Sequence, residues 1–340
     1  MNEDDQEPAN ECECELIFVD NKKRYYSHSW RRGSPPIFWG TDANLFTQKN
    51  IVNKKANESS SYGKTHVYFL QDIFVRFDVR KCHVISFLKN VGTEKDINDA
   101  YEASINEVNH NFSQLLPRPN SNTNANANVN DFICNINFTR FFFDNIESKN
   151  VVEYFIEQLM NEVQSVHFNQ VTLNAEYHKD KSYVFHDHQD MVYRFNCADS
   201  LDRTNVGTFA FAIILTSKYA NDFGLSFRKG SRAVWFEPFK FLKPSVINFL
   251  CKAFTKGGNI VSKMYANTAA NRNSLIKQFF VPEDNEEDFK VHNDVVNIFW
   301  RNINSIMFDK KRQHLIFQWL DSDAFRRKRF SLDQQHIGFY

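Results

Sequence analysis

The chain has 340 residues, and its 41 Lys and Arg balance 41 Asp and Glu, so the formal net charge is zero. That balance argues against a dedicated nucleic-acid binder, which carries a basic excess. The most apolar run, Phe209 to Leu215, is too short to span a bilayer, which takes roughly 20 residues.

The start of the chain is acidic and lacks the apolar stretch of a signal peptide. A cytoplasmic protein with its six Cys as reduced thiols is therefore expected. Residues 1–15 read as a disordered acidic tail, with Cys12 and Cys14 as two exposed thiols in it. Leu16 to Val19 reads as a strand. Pro35 and Pro36 forbid helix and lead into an extended aromatic segment at Ile37–Trp39. Cys82 to Leu88 reads as a strand. Thr93 and Asp96 open a helix on which Ile97, Ala100, Tyr101, Ser104, Ile105 and Val108 fall at helical spacing. Residues 117–131, rich in Asn, read as a disordered insertion. A strand pattern resumes over Phe132–Phe143, followed by an amphipathic helix over Val151–Val163 and a strand at Met191–Asn196. Thr204 to Tyr219 is apolar on nearly every side and reads as a buried helix. Further helices are expected near Pro244–Phe254, Gly258–Phe279 and Phe289–Met307, with a short one ending near Leu320. Residues 321–340 form a basic tail containing Arg326-Arg327-Lys328-Arg329, which suits contact with an anionic membrane surface.

The segment Arg194 to Asn205 places Cys197 six residues before Arg203, followed by Thr204, between a predicted strand and a predicted helix. A loop of this length can turn its backbone N–H groups, from Ala198 through Asp199, Ser200, Leu201 and Asp202 to Thr204, onto one point at a helix N-terminus. Such a point binds a tetrahedral dianion. The same field favours a thiolate at Cys197 near neutral pH, and Arg203 can fork two phosphoryl oxygens. An inert buried cysteine is the alternative at this position. The chain contains its own control: Cys134 and Arg140 have the same spacing, but Phe141 follows and no helix begins there. Asp199 reads as the general acid or as a capping carboxylate, and Asp202 as a partner of Arg203 or a helix cap. The loop has no Lys, so extra phosphates on a ligand would need cations from elsewhere; Arg32, Arg194, Lys218, Arg228, Lys229 and Arg232 are the candidates. His186-Asp187-His188-Gln189-Asp190 offers two His at alternate positions without a clear third ligand, so no metal is assigned.

The string Arg194-x-Asn196-Cys197-x-Asp199-Ser200-Leu201-Asp202-Arg203-Thr204-Asn205 strongly resembles the active-site signature of the Sac-domain phosphoinositide phosphatases. Ser200 departs from it, since most members carry a second Cys there. The variant C-A-D-S-L-D-R-T-N is most similar to the divergent branch typified by a plant Sac-domain protein with a WW module, although no WW module is evident here. Arg32–Trp39 resembles the family's R-G-S-x-P-x-x-W block, and Gly92-Thr93-Glu94 with Asp99-Ala100-Tyr101 the block after it. Gly258 to Ala269 resembles G-x-x-x-S-x-x-Y-x-G-T-x-A, with Asn267 in place of the second Gly. The resemblance covers roughly residues 30 to 280 and implies an α/β Sac-type catalytic domain: a central sheet, a Cys-x5-Arg phosphate loop and flanking helices, with the N-terminal Sac lobe largely missing. It assigns that domain to residues 16–320. The implied activity is hydrolysis of a phosphoinositide phosphomonoester through a phosphocysteine at Cys197, with no cofactor, at an anionic membrane surface. An inactive Sac-like binding module and a Cys-dependent protein phosphatase are the alternatives.

Overall fold

The computed structural model describes residues 11–19, 24–37, 39–43, 48–52, 79, 81–115, 135–142, 151–163, 169–174, 182–227 and 237–280. The Asn-rich segment 117–131, the predicted helices at Phe289–Met307 and near Leu320, and the basic tail lie outside these residues.

Nine strands are described: β1 (Cys12–Val19), β2 (Arg24–Arg32), β3 (Trp39–Ala43), β4 (Gln48–Val52), β5 (Lys81–Ser86), β6 (Asn135–Arg140), β7 (Asn169–Asn174), β8 (Ser182–Asp187) and β9 (Met191–Asn196). The helices are α1 (Gly92–Leu115), α2 (Val151–Val163), α3 (Asp202–Tyr219), α4 (Pro238–Phe241), α5 (Pro244–Ala266) and α6 (Asn273–Lys277). Seven strands form one mixed sheet in the order β6-β5-β9-β2-β7-β8, with β1 also paired to β2. β6, β5, β9 and the end of β2 run parallel. β1 runs antiparallel along β2 from Val19↔Tyr25 to Cys12↔Arg32, so β9 and β7 share the opposite edge of β2. β3 and β4 form a separate hairpin pair.

Side chains alternate along the central strands and build two cores, one on each face. On one face Cys82, Val84, Ile136 and Val192 meet Ile97, Tyr101, Ile105 and Val108 of α1, which is the periodic stripe expected from the sequence. On the other, Ile85, Tyr193 and Phe195 meet α2, α3, α5 and α6. Helix α3 is buried from Thr204 through Ser217. Its Phe211 ring packs against Trp30, Tyr193 and Phe195 at centroid separations of 5.5, 4.8 and 5.0 Å. Gly207 is required for this packing, because a Cβ there would lie 2.1 Å from the Phe87 ring.

Three expectations are corrected. First, Cys12 to Glu15, expected to lie in a disordered tail, belong to β1, and Cys12 and Cys14 are half-buried there. Glu11 is drawn in by two buried cations, with Oε1 3.1 Å from Arg31 Nε and Oε2 2.9 Å from Arg194 Nη2. Gly33 makes room for it, since a Cβ there would lie 1.8 Å from the Glu11 carboxylate. Second, the separate helices expected near Pro244–Phe254 and from Gly258 are one helix, α5, which runs through to Ala266. Third, α5 ends at Asn267, whose φ of 55° is left-handed, and among the described residues only the short α6 follows. Asn is the residue most tolerant of that conformation after Gly, which accounts for Asn267 where the resembling block has Gly.

Candidate active site

Chain order reverses beside β9. β5 leads through α1 to β6 on one side, while β9 leads into α3 on the opposite face. The crevice outside the carboxyl ends of β5 and β9 is thus a topological switch point, the usual ligand position in open α/β sheets. Cys197 follows directly after β9, and residues 197–201 connect it to α3. The strand-loop-helix setting expected for this segment is therefore present. The control segment behaves differently: Arg140 ends β6 and is engaged by Asp99 at 2.7 Å and by Glu102.

The loop is fastened from both sides. Asn196 donates through Nδ2 to Ser86 Oγ at 3.2 Å, and its carbonyl accepts from the Phe87 amide at 2.7 Å. Arg32 donates from Nη2 to the carbonyls of Ser200 and Leu201, the latter at 3.0 Å, and from Nη1 to Asn205 Oδ1 at 3.1 Å. Asn205 then donates to the Phe254 carbonyl of α5 at 3.1 Å. A Cβ on residue 258 would lie 2.4 Å from Asn205 Nδ2, so Gly258 keeps α5 close enough to make this contact. Ser200 holds φ at 56°, a conformation that is strained for a residue other than glycine. Leu201 supplies no side-chain cap to α3. The Ser200 hydroxyl and Asn196 Oδ1 are buried without a hydrogen-bond partner among the described residues. An uncapped helix mouth with orphaned polar atoms beside it suits an anionic ligand.

Cys197 is fully buried, and Asp199, on the outside of the loop, is exposed. The thiol donates to Asp199 Oδ1 at 3.3 Å, and the same oxygen accepts from the Leu201 amide at 3.1 Å. Burial, followed by the Asp199 charge, pushes the Cys197 thiol up to about 11. Arg203 and Thr204 act in the opposite direction; the Thr204 hydroxyl forms no full hydrogen bond of its own but lies near enough to favour the thiolate. The expected thiolate at neutral pH is thus corrected to a protonated thiol, because desolvation and a neighbouring carboxylate outweigh the positive groups.

Arg203 donates from Nη1 to the Phe87 carbonyl at 2.8 Å and to Glu94 Oε2 at 2.6 Å, and from Nη2 to Glu94 Oε1 at 2.9 Å. Burial alone would lower its pKa, but a Cys197 thiolate, when formed, and Glu94 reverse that and hold the guanidinium charged. Glu94 lies in the first turn of α1, so this ion pair joins helices on the two faces across the rim of the sheet. A guanidinium has five N–H donors. Three are used by Phe87 and Glu94, which leaves one on Nε and one on Nη2, along a single edge of the fork. Sequence reasoning noted Glu94 within a resembling block and missed its task; its partner is 109 residues away.

The remaining candidates fall elsewhere. The Asp202 carboxylate accepts from the Asn271 amide at 2.7 Å and from Asn271 Nδ2 at 3.3 Å, holding the turn after α5. Arg32 and Arg194, headgroup candidates in the sequence, are buried, at 4% and 0% exposed. Arg194 donates to Tyr101 Oη at 3.2 Å, to the Ser34 carbonyl at 2.8 Å and to Glu11. Burial lowers the Lys218 pKa. Arg228, Lys229 and Arg232 lie outside the described residues. In the His-rich segment, Gln189 ties β9 to β2, accepting from the Ser29 amide at 2.9 Å and donating to its carbonyl at 2.8 Å.

None of the curated proteins matches the chain. Residues 2–135, which carry Glu11, Arg32 and Glu94 but end before the loop at Cys197, match the family model of the SacI homology domain. That match supports the Sac-domain likeness from a part of the chain separate from the loop signature.

Proposed function

We propose that the chain is a phosphoinositide phosphatase of the divergent Sac branch, hydrolysing a headgroup phosphomonoester through a phosphocysteine at Cys197. The observation that supports this most is the grouping of the Cys197 sulfur, the Asp199 carboxylate and the free edge of Arg203 at the uncapped mouth of α3.

The protonated resting thiol supplies the general acid. Transfer of the Cys197 proton to Asp199 Oδ1 leaves a thiolate and a neutral carboxyl, which moves the negative charge from the carboxylate onto the attacking sulfur and readies Asp199 as an acid. The sulfur attacks phosphorus while the ester P–O bond breaks, and Asp199 gives its proton to the leaving inositol oxygen. The developing charge on the phosphoryl oxygens falls on the Nε–Nη2 edge of Arg203 and on the amides at the helix mouth. In the second step water attacks phosphorus, its proton passes to Asp199, and the S–P bond breaks to return the thiolate. The carboxyl then reprotonates the sulfur.

A second reading, a binding module without turnover, is favoured by one observation: Cys197 is fully buried and its thiol is raised. Phosphate release from phosphoinositide vesicles and from phosphotyrosine peptides, with wild type and Cys197→Ser, separates the readings. The phosphatase reading expects release from vesicles only, lost in Cys197→Ser. Vesicle binding without release supports the module, and release from the peptides supports a protein phosphatase.

A further inference from the structure

Helix α5 has 23 residues and no Asp or Glu among them. Its inner face, with Ile247, Leu250, Cys251, Thr255, Gly258 and Ser262, is buried. The opposite face of a surface helix should be polar, yet Phe249 is 67% and Ile260 51% exposed, with Met264 at 61%. At 100° per residue, Phe249 and Ile260 lie within about 20° of one another around the axis, three turns apart. Lys256 lies between them, and Lys252 and Lys263 follow along one flank; Lys256 and Lys263 are exposed. An apolar ridge edged by lysines and free of carboxylates on its helix is the composition of an interfacial helix, which lays its apolar side chains among acyl chains and its ammonium groups among anionic headgroups.

We propose that the outer face of α5 docks the protein on an anionic lipid bilayer. The charge sign selects the partner, because a protein surface complementary to this stripe would need its own carboxylates against every lysine, whereas an anionic bilayer offers negative charge at any rotation of the helix. The inner face of α5 contacts Asn205, one residue after Thr204, through the Phe254 carbonyl and Gly258. Docking by this helix therefore fixes the Cys197 loop at a set depth relative to the headgroups. This inference deepens the phosphoinositide reading and rests on it for its functional meaning, but binding is measured without turnover.

The test is co-sedimentation of the full chain with vesicles of phosphatidylcholine alone and of phosphatidylcholine with phosphatidylserine, for wild type, Phe249→Ser/Ile260→Ser and Lys256→Glu/Lys263→Glu. These side chains are exposed, and thermal melts check that both variants keep the wild-type fold. Wild type is expected to bind the phosphatidylserine vesicles at least tenfold more tightly than the neutral ones. The serine pair should lose tenfold or more of that binding. Each neutralised lysine should cost about fivefold and each reversal more. Equal binding by folded wild type and both variants overturns the proposal. Failure of wild type to prefer anionic vesicles overturns it as well. So does a concentration-dependent dimer that the serine pair abolishes, which would make the face an interface between copies. Vesicle binding without phosphate release leaves the docking intact and removes the catalytic reading, so the two failures are distinguishable.

Discussion

Glu94→Gln is the substitution that most sharply probes how Arg203 is held. The wild-type carboxylate accepts two hydrogen bonds from the guanidinium, at 2.6 and 2.9 Å, with the two side chains only 17% and 12% exposed. Gln keeps the shape but removes the charge, and its NH₂ must face either Arg203 or the Lys89 amide that Glu94 Oε2 accepts at 2.8 Å. One charge-assisted bond is lost outright and the other keeps only the charge of the guanidinium. At about 1.5–3 kcal/mol for a hydrogen bond to a charged group, the preference of Arg203 for its productive position falls by about 1.5–3 kcal/mol. That corresponds to roughly 10- to 150-fold in kcat, with KM changing less because the lost geometry matters most in the transition state. The assay is initial-rate phosphate release from phosphoinositide vesicles for wild type, Glu94→Gln, Arg203→Ala and the double variant. If Glu94 acts through Arg203, Glu94→Gln has no further effect once Arg203 is Ala. A double variant whose losses multiply, or a Glu94→Gln enzyme with full kcat, would refute the reasoning.

Three further outcomes follow from buried charges, thiols and close approaches. The Cys12 thiol is lowered to about 6, chiefly by its hydrogen bond from Cys14 and further by Arg32, while Cys197 is raised to about 11; iodoacetamide at pH 7 should therefore label Cys12 first, with Cys197 gaining reactivity only as pH climbs toward its higher value, and preferential labelling of Cys197 would contradict both. Glu11→Gln leaves Arg194, 0% exposed, without its carboxylate, and chemical denaturation should show a loss of about 3–5 kcal/mol; a loss below about 1 kcal/mol would mean that Glu11 does not neutralise it. Gly258→Ala places a methyl 2.4 Å from Asn205 Nδ2 and should cost about 1–3 kcal/mol by overpacking, read as a lower Tm, whereas an unchanged Tm would show that α5 does not press on the loop.

The parts of this architecture that sequence made legible are those fixed by local pattern. The stripe Ile97, Tyr101, Ile105, Val108 set the face of α1, and uniform apolarity from Val206 to Leu215 marked α3 as buried. The loop at Cys197 stood out because a strand, a Cys-x5-Arg-Thr spacing and a helix coincide there, while Cys134 to Arg140 has the spacing alone. What was misread depends on partners distant in the chain. Glu11 looked like part of a solvated acidic tail until Arg31 and Arg194 supplied its counter-charges. Arg32 and Arg194 stood out in the sequence only as cations, whereas in the fold both are buried and donate to backbone carbonyls. Two helices were expected where α5 is continuous, and Gly258 within it serves a close helix-to-loop contact. The raised Cys197 thiol was not foreseeable from the helix mouth alone, since burial and the position of Asp199 decide its sign.

The central claim is that Cys197 accepts a phosphoryl group. Acid quenching of the protein within milliseconds of mixing with phosphoinositide vesicles, followed by mass spectrometry of the peptide containing Cys197, tests this most directly. The account predicts one added phosphoryl group on that peptide, absent in Cys197→Ser and accumulating in Asp199→Asn when the substrate carries a good leaving group. Phosphate release by wild type with Cys197 unmodified at every time point, or release that persists in Cys197→Ser, would contradict it.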